Sequence, residues 1–291
     1  MSPDRKRSFL LWLLLVILVA CIVGFVFLAA AYLSQGKNQP TEKPPETTSQ
    51  SERPPENWAG TYYYAGMPRT TAAFPDRITV LTNQGYVVGY CETRKDPAWV
   101  CYRLCRVGNL QAPPRPQGFT VDVRTQARIN QHDYSGSGYD RGHMAPNYAI
   151  AVCDGAQAQL ETFMMSNIVP QKPNLNRRVW ERLEQVEVKD YAQRFTRVWV
   201  IDGPVFDANP PTLRSGVAVP KACYKIIVEE EHGRPKMLAF VMPQNVMGTE
   251  SPSEFLTSVE EIQRETGLDF FTELPAEMQS KMEHERVAGM W

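Results

Sequence analysis

Asp140-Arg141-Gly142-His143 places an acid, a guanidinium, a glycine and an imidazole in four consecutive positions. A neutral imidazole accepts a proton from water near pH 7, and a guanidinium fork matches two oxygens of a phosphate. Further on, amides and a carboxylate gather around the start of one long apolar-periodic segment: Asn167, Gln171, Asn174, Asn176 and Glu184, with Trp180 among them. Each cluster also has a plain structural use, the first as a turn with a satisfied histidine and the second as helix capping. Asp140 has two readings as well, orienting the ring of His143 or capping backbone N–H groups. The chain has four histidines, His132, His143, His232 and His284, and no CxxC pair, which argues against a multi-histidine or structural zinc centre.

Asn176 and Glu184 are eight positions apart, close to two helical turns, so on a helix they share a face with Cα atoms about 12 Å apart along the axis. Side chains lean toward the helix N-terminus, which lets Glu184 reach back toward Asn176. This arrangement suits a hard cation, Mg²⁺ or in its place Mn²⁺, held directly by the Asn176 amide oxygen. Its other ligands would be water and substrate oxygen, with Glu184 fixing those waters. Phosphodiester hydrolysis needs a base for water, a cation for the developing charge and donors for the phosphate. His143, a metal at Asn176 and nearby arginines would supply them.

These side chains need a frame. Short β-rich runs recur at Tyr86 to Cys91, Ala98 to Leu104, Arg197 to Ile201, Cys223 to Glu229 and Met237 to Met242, which predicts a central sheet. Leu175, Val179, Leu183 and Val186 recur at three-to-four spacing and predict a helix from Leu175 to Phe195, with Trp180 as its core anchor. A second helix is expected from Ser253 to Glu265, and a charged surface helix from Pro275 to Arg286 with His284 facing solvent. The mixture predicts an α+β fold. Gly138 and Gly142 read as scaffold, with Gly142 letting its strand pass close to substrate or metal.

The chain has 291 residues, 43% hydrophobic and 22% charged, which supports one sizeable core. Its net charge of -1 leaves no bulk positive field, so a nucleic-acid site must be a local basic patch. Arg124, Lys172, Arg177, Arg178 and Arg182 are candidates for that groove, of which about half are expected to serve. Residues 1–8 carry Arg5, Lys6 and Arg7 before an uncharged apolar run at 9–33. Its length predicts a transmembrane helix with a cytoplasmic N-terminus and everything after it extracytoplasmic. The competing reading is a cleaved signal peptide, with Leu18-Val19-Ala20-Cys21 resembling a lipoprotein processing site, although the apolar run continues well past Cys21. Residues 34–57 are rich in Pro, Glu, Ser, Thr and Gln and predict a flexible linker, and residues 58–291 form one domain. Cys91 and Cys101 flank an expected hairpin tip at Lys95-Asp96-Pro97 and either pair across it or act as small buried hydrophobes.

A longer ordered set of motifs carries a family resemblance. It runs through Asn83-Gln84-Gly85-Tyr86-Val87-Val88-Gly89-Tyr90, Pro97-Ala98-Trp99-Val100, Ala127-Arg128 and Asp133-Tyr134-Ser135-Gly136. It continues through Gly138 to Asn147, Ser166-Asn167-Ile168-Val169-Pro170-Gln171, Leu175-Asn176, Trp180, Leu183-Glu184 and Asp202-Gly203-Pro204-Val205-Phe206. The sequence resembles the DNA/RNA non-specific endonuclease family, the endonuclease G-like and Serratia nuclease-like members of the ββα-metal superfamily. Order and spacing agree over roughly Gly85 to Phe206. The resemblance implies a central antiparallel sheet flanked by helices, with His143 closing a β hairpin and one Mg²⁺ between it and Asn176. It also implies that Arg128 and Arg141 bind or stabilise the phosphate, that Asn167 supports the site and contacts substrate, and that Glu184 orders metal-bound water. DNA and RNA are the expected substrates, 5′-phosphates the expected products and a homodimer the expected assembly, with no small-molecule cofactor. Two other readings stay open: a nuclease-like module that binds nucleic acid or protein without turnover, and a phosphodiesterase acting on small or lipid-derived substrates.

Overall fold

The computed structural model describes residues 62–231 and 234–291. The expected membrane span at 9–33 and linker at 34–57 lie outside the described residues; among those described, no helix is long and apolar enough to cross a membrane.

Along the chain, β1 (Arg69–Thr70), β2 (Ile78–Thr82), β3 (Tyr86–Cys91) and β4 (Asp96–Leu104) come first. β5 (Asp140–His143) and β6 (Ile168–Gln171) follow, and then β7 (Val198–Val205), β8 (Ala222–Glu231) and β9 (Arg234–Pro243). Two short strands, β10 (Leu256–Thr257) and β11 (Leu268–Asp269), complete the set. The main sheet has seven strands in the order β10-β9-β8-β7-β4-β3-β2, while β1 pairs with β11 and β5 with β6. All these pairings are antiparallel.

The middle strands are covered on both faces, which is why β7 is buried at every position. Val198 and Val200 join the core beneath a long helix spanning 175–194, whereas Trp199 and Ile201 join the opposite core. That second core is covered by helices Val259–Thr266 and Ala276–His284. The terminal helix is a surface helix as expected, with the His284 side chain 60% exposed and facing Glu260.

One expectation needs correction and one open choice is decided. The segment from Ser253 to Glu265 is not one helix: Ser251 caps only a 3-10 turn at Pro252–Phe255, β10 follows, and the α-helix starts at Val259. The reason is a second cap, because Ser258 accepts from the Glu261 N–H and restarts the winding there. Cys91 and Cys101 are not partners either. The hairpin turns at Glu92 to Lys95, so Cys91 lies opposite Asp96 and Cys101 opposite Val87.

On the helix-facing side of the sheet, Tyr102 of β4, Asp202 of β7 and Lys225 of β8 form a buried polar row, with Asp202 and Lys225 directly paired in register. Glu187 descends onto it from the long helix. Lys225 Nζ lies 2.9 Å from Glu187 Oε1 and 3.2 Å from Asp202 Oδ2, and it donates to the Tyr102 hydroxyl at 2.9 Å. Tyr102 in turn donates to Glu187 Oε2 at 2.8 Å, and the ammonium sits 4.5 Å from the ring centroid of Trp180. Burial alone would depress the lysine, but the carboxylates of Glu187 and Asp202 outweigh it and hold the ammonium above its ordinary value. Removing one member of a buried charge set leaves the others uncompensated. Lys225→Met is therefore expected to destabilise the domain by about 3–5 kcal/mol, read as a lowered midpoint in urea unfolding.

Candidate active site

β5 and β6 make a two-stranded ribbon apart from the main sheet, with His143 opposite Ile168 and Asp140 opposite Gln171. The long helix begins at Leu175, so strand, return strand and helix form a ββα unit, with helices Asn147–Asp154 and Ala156–Glu161 inserted between the two strands. Gln244, just beyond β9, fixes the entry to the helix by accepting from the Lys172 N–H at 2.7 Å and donating to the Pro170 carbonyl at 2.7 Å. Gly142 is required here by its neighbour rather than by a ligand: a Cβ would meet Gln171 Oε1 at 2.1 Å.

Asp140 neither orients the ring of His143 nor caps a turn. Its carboxylate grips the helix, accepting from Asn176 Nδ2 at 3.1 Å and from Arg177 Nε and Nη2 at 2.7 and 2.5 Å. Burial would raise this carboxyl, but the Arg177 and Asn176 hydrogen bonds and the Arg177 charge hold it below the usual carboxylate range. Because the Asn176 amide nitrogen is spent on Asp140, its carbonyl oxygen Oδ1 is the end left for a cation. Among the described residues no group of three or more His, Cys, Asp or Glu could cage a metal. One amide oxygen fits an ion that keeps most of its water, as Mg²⁺ does.

The long helix is not uniform. It is π-wound over Leu175–Trp180, α over Glu181–Val186, π again over Glu187–Tyr191 and α over Ala192–Arg194. In a regular α-helix, eight residues overshoot two turns by about 80°. The i→i+5 bonds of the π segment place more residues in each turn, which takes up that overshoot and brings Asn176 and Glu184 nearer to one azimuth. Burial pushes the Glu184 carboxyl up to about 8 against the pull of Lys225, with Glu187, Asp202 and Glu181 adding to the rise. A divalent cation beside it would favour the ionised form.

His143 is packed between Phe119 and Phe163, with ring centroids 5.3 and 4.9 Å away. Burial and the nearby Arg115 cation push the imidazole down to about 3, so the ring is neutral. Its Nε2 is buried and without a hydrogen-bond partner. An unpaired buried nitrogen costs about 1–3 kcal/mol, and it is also the lone pair a base requires.

Asn167, expected to contact substrate, is fully buried. Its Oδ1 accepts from the Ala145 N–H at 2.8 Å, and its Nδ2 donates to the carbonyls of Ala145 and Thr162 at 3.0 Å each. It clamps the backbone two residues beyond His143 and offers nothing to a phosphate. Arg141 shares the His143 side of β5 by strand alternation. It donates from Nε to the Gln131 carbonyl at 2.9 Å, donates to the same oxygen from Nη2, and lies over the rings of Phe119 and Tyr134. Arg128 is exposed, at φ 50°, and makes no hydrogen bond or ion pair among the described residues. Such backbone strain recurs at functional positions. No direct contact joins His143 to Asn176; β5 carries the first and, through Asp140, holds the second.

The expected basic groove divides. Arg124 is consumed by Asp122, Asn83 and the Thr82 carbonyl, Arg177 by Asp140, and Arg182 by the carbonyls of Gly248 and Glu250. Lys172 and Arg178 are exposed, with no side-chain ion pair among the described residues.

A profile of the DNA/RNA non-specific endonuclease family matches residues 65–277. The chain belongs to this family. It is 34% identical over 215 residues to the mitochondrial nuclease EXOG of Danio rerio, covering 68% of this chain and 62% of that protein. It is 31% identical over 216 residues to human mitochondrial endonuclease G, covering 67% of this chain and 70% of that one. The fold is similar to that in a crystal structure of an EndoG/EndoGI complex, with a TM-score of 0.63 and 28% identity over 75% of this chain and 91% of the other.

Sequence reading missed Arg115, Phe119 and Phe163, which surround the family histidine; Arg115 also stacks 5.0 Å from the Phe163 ring centroid. They come from two segments distant in sequence from His143, and nothing in their spacing points to it. A separate cavity of about 440 Å³, lined in part by Phe74, Arg94, Phe206 and Arg264, contains none of these residues.

Because Asp140 alone turns the Asn176 amide, Asp140→Ala is expected to weaken divalent-cation binding by roughly 10–100-fold although Asp140 is not a ligand. Mn²⁺ titration followed by electron paramagnetic resonance measures this, and an unchanged affinity would separate Asp140 from the metal.

Proposed function

We propose that the chain is a Mg²⁺-dependent, sequence-nonspecific endonuclease that hydrolyses phosphodiester bonds of DNA and RNA to 5′-phosphate products. The observation that carries this reading is the family match over 65–277, which contains Arg128, Arg141, His143, Asn176 and Glu184 on one ββα unit and its approach. The relatives' names, nuclease EXOG and endonuclease G, support the reaction class. The matched region is 62% of the first of these relatives, so activity and substrates are proposals for this chain.

In this reading His143 accepts a proton from water at Nε2, the atom left unpaired in the fold. Asn176 offers Oδ1 to the ion, held in that orientation by Asp140. A bound Mg²⁺ supplies charge neutralisation at the leaving oxygen. Glu184 would accept hydrogen bonds from water on an ion held there, and Arg128 and Arg141 hold the phosphate. Contacts to phosphate and sugar position a strand without reading its bases, which accounts for low sequence preference. Arg128, Lys172 and Arg178, exposed and without an ion pair among the described residues, are the cations left to hold a polyanion on a chain of net charge -1. We further propose that residues 9–33 anchor the protein with the nuclease domain outside the cytoplasm, a reading supported by the uncharged apolar run behind Arg5-Lys6-Arg7.

The full-length chain incubated with plasmid and with RNA is expected to degrade both with Mg²⁺, to stop with EDTA, and to slow steeply as salt rises. Intact polymers under all conditions would leave a binding module; cleavage of small phosphodiesters alone would move the substrate class. His143→Ala is expected to lower kcat about 10²–10⁴-fold while Mn²⁺ binding persists.

The pH profile has a defined sign. A depressed imidazole stays neutral, and therefore competent as a base, as pH falls from about 8 to about 5, so no His143 limb appears in kcat/KM across that range. Arg115→Ala removes a cation that disfavours the protonated ring, which raises the histidine's value and moves the acid limb to higher pH. A limb that stays in place in that variant would exclude Arg115 as an electrostatic neighbour of the base.

A further inference from the structure

The five cysteines of the described region are free thiols, and three are occupied elsewhere. Cys91 bonds Thr93, Cys223 accepts from Gln171 Nε2 and Cys101 is buried within β4. Cys105 and Cys153 differ. Both are only half-buried, and they meet across 48 positions of sequence. Cys153 Sγ accepts from the Cys105 N–H at 3.4 Å and lies 3.7 Å from the Cys105 carbonyl oxygen.

We propose that Cys105 and Cys153 are a redox site that closes to an intramolecular disulfide on exposure to a small disulfide oxidant. The geometry places one sulfur against the other residue's backbone on two rigid elements: Cys105 directly follows β4, and Cys153 is in the helix Asn147–Asp154. Burial pushes the Cys153 thiol up to about 12. With oxidised glutathione, the Cys105 thiolate attacks one sulfur, the glutathione S–S bond breaks, and one glutathione leaves carrying a proton. Cys153 then attacks the Cys105 sulfur of the mixed disulfide, losing its proton to solvent or to the leaving thiolate. The Cys105–Cys153 bond forms and a second glutathione departs. Two protein thiols are oxidised and one glutathione disulfide is reduced to two thiols, which balances the exchange.

The consequence is local to the active face. The segment between the two cysteines carries Arg115, Phe119, Arg128, Arg141 and His143, and the helix holding Cys153 starts four residues after His143. Closure staples that helix to the end of a central strand and constrains the unfolded chain across a long loop. The pair lies outside the residues assigned to hydrolysis, so its test stands whether or not the chain cleaves nucleic acid.

The full-length chain, purified in detergent, is incubated with oxidised glutathione, alkylated and analysed by peptide mass spectrometry, with melting recorded before and after dithiothreitol. We expect a Cys105–Cys153 linked peptide, with Cys91, Cys101 and Cys223 still recovered as thiols. We also expect a rise in Tm of roughly 5–15 °C that dithiothreitol reverses. Cys153→Ser should melt like the reduced wild type and gain nothing from oxidant. Glutathione retained on Cys105, both thiols still alkylated after oxidation, or a Tm rise that survives in Cys153→Ser would each overturn the proposal; the linked peptide is read on the wild type, so a poorly folding variant does not decide it.

Discussion

The carboxylate of Asp140 is the point at which the ribbon and the helix become one site. Three donors from Asn176 and Arg177 converge on it. An asparagine amide has a donor end and an acceptor end, and a hydrogen bond to one end decides what the other can do. Without that grip Asn176 would be an exposed-helix amide free to rotate, and its oxygen would have no fixed direction. The Asp-Arg-Gly-His run is thus a strand that holds the helix at its first residue and carries an unpaired imidazole at its last.

Beneath the helix lies a second constraint of a different kind. Lys225, Glu187, Asp202 and Tyr102 are sealed between helix and sheet, where the lysine ammonium faces both carboxylates and the tyrosine hydroxyl. Buried charges are not an efficient source of stability, but they penalise any displacement that would separate them. Here that sets the height and rotation of the helix on the sheet, and with it the position of Glu184, one turn before Glu187. The π-wound turn that opens the helix is the geometric complement: it adjusts the phase so that Asn176 and Glu184, eight apart, serve one region. The burial that raises the Glu184 carboxyl and depresses His143 has one physical origin, a site partly closed to water. Its effect is opposite on the two because desolvation disfavours charge, an anion in one case and a cation in the other.

The segment that closes the site comes from outside the ββα unit. Phe119 lies against both His143 and Phe163, and Arg115 stacks on Phe163. Phe119 also faces Arg141, whose guanidinium is anchored on the Gln131 carbonyl. One ring therefore touches both the candidate base and a candidate phosphate donor, so movement of this segment would change both at once. Asn167 belongs to the same design by a different route, as a buried clamp on the backbone that follows His143.

The sequence by itself determined the elements and the chemistry of their side chains. Alternation and apolar runs placed five strands of the main sheet to within a few residues but not the edge strands β2 and β10, and three-to-four spacing placed the long helix with Trp180 inside. The ordered motifs from Gly85 to Phe206 identified the family, because local propensity and local spacing are written in neighbouring letters. What only the tertiary structure decided is which of several competent partners each polar group takes. Asp140 takes the helix and not His143, Asn167 takes backbone and not phosphate, Arg124 and Arg177 are spent on aspartates while Arg128 and Arg178 are not, and Cys105 meets Cys153 while Cys91 and Cys101 stay apart. These choices depend on register, helix phase and the approach of segments tens of residues distant, and a hydrogen bond or an ion pair is decided within about half an ångström, a scale that residue type and spacing do not encode.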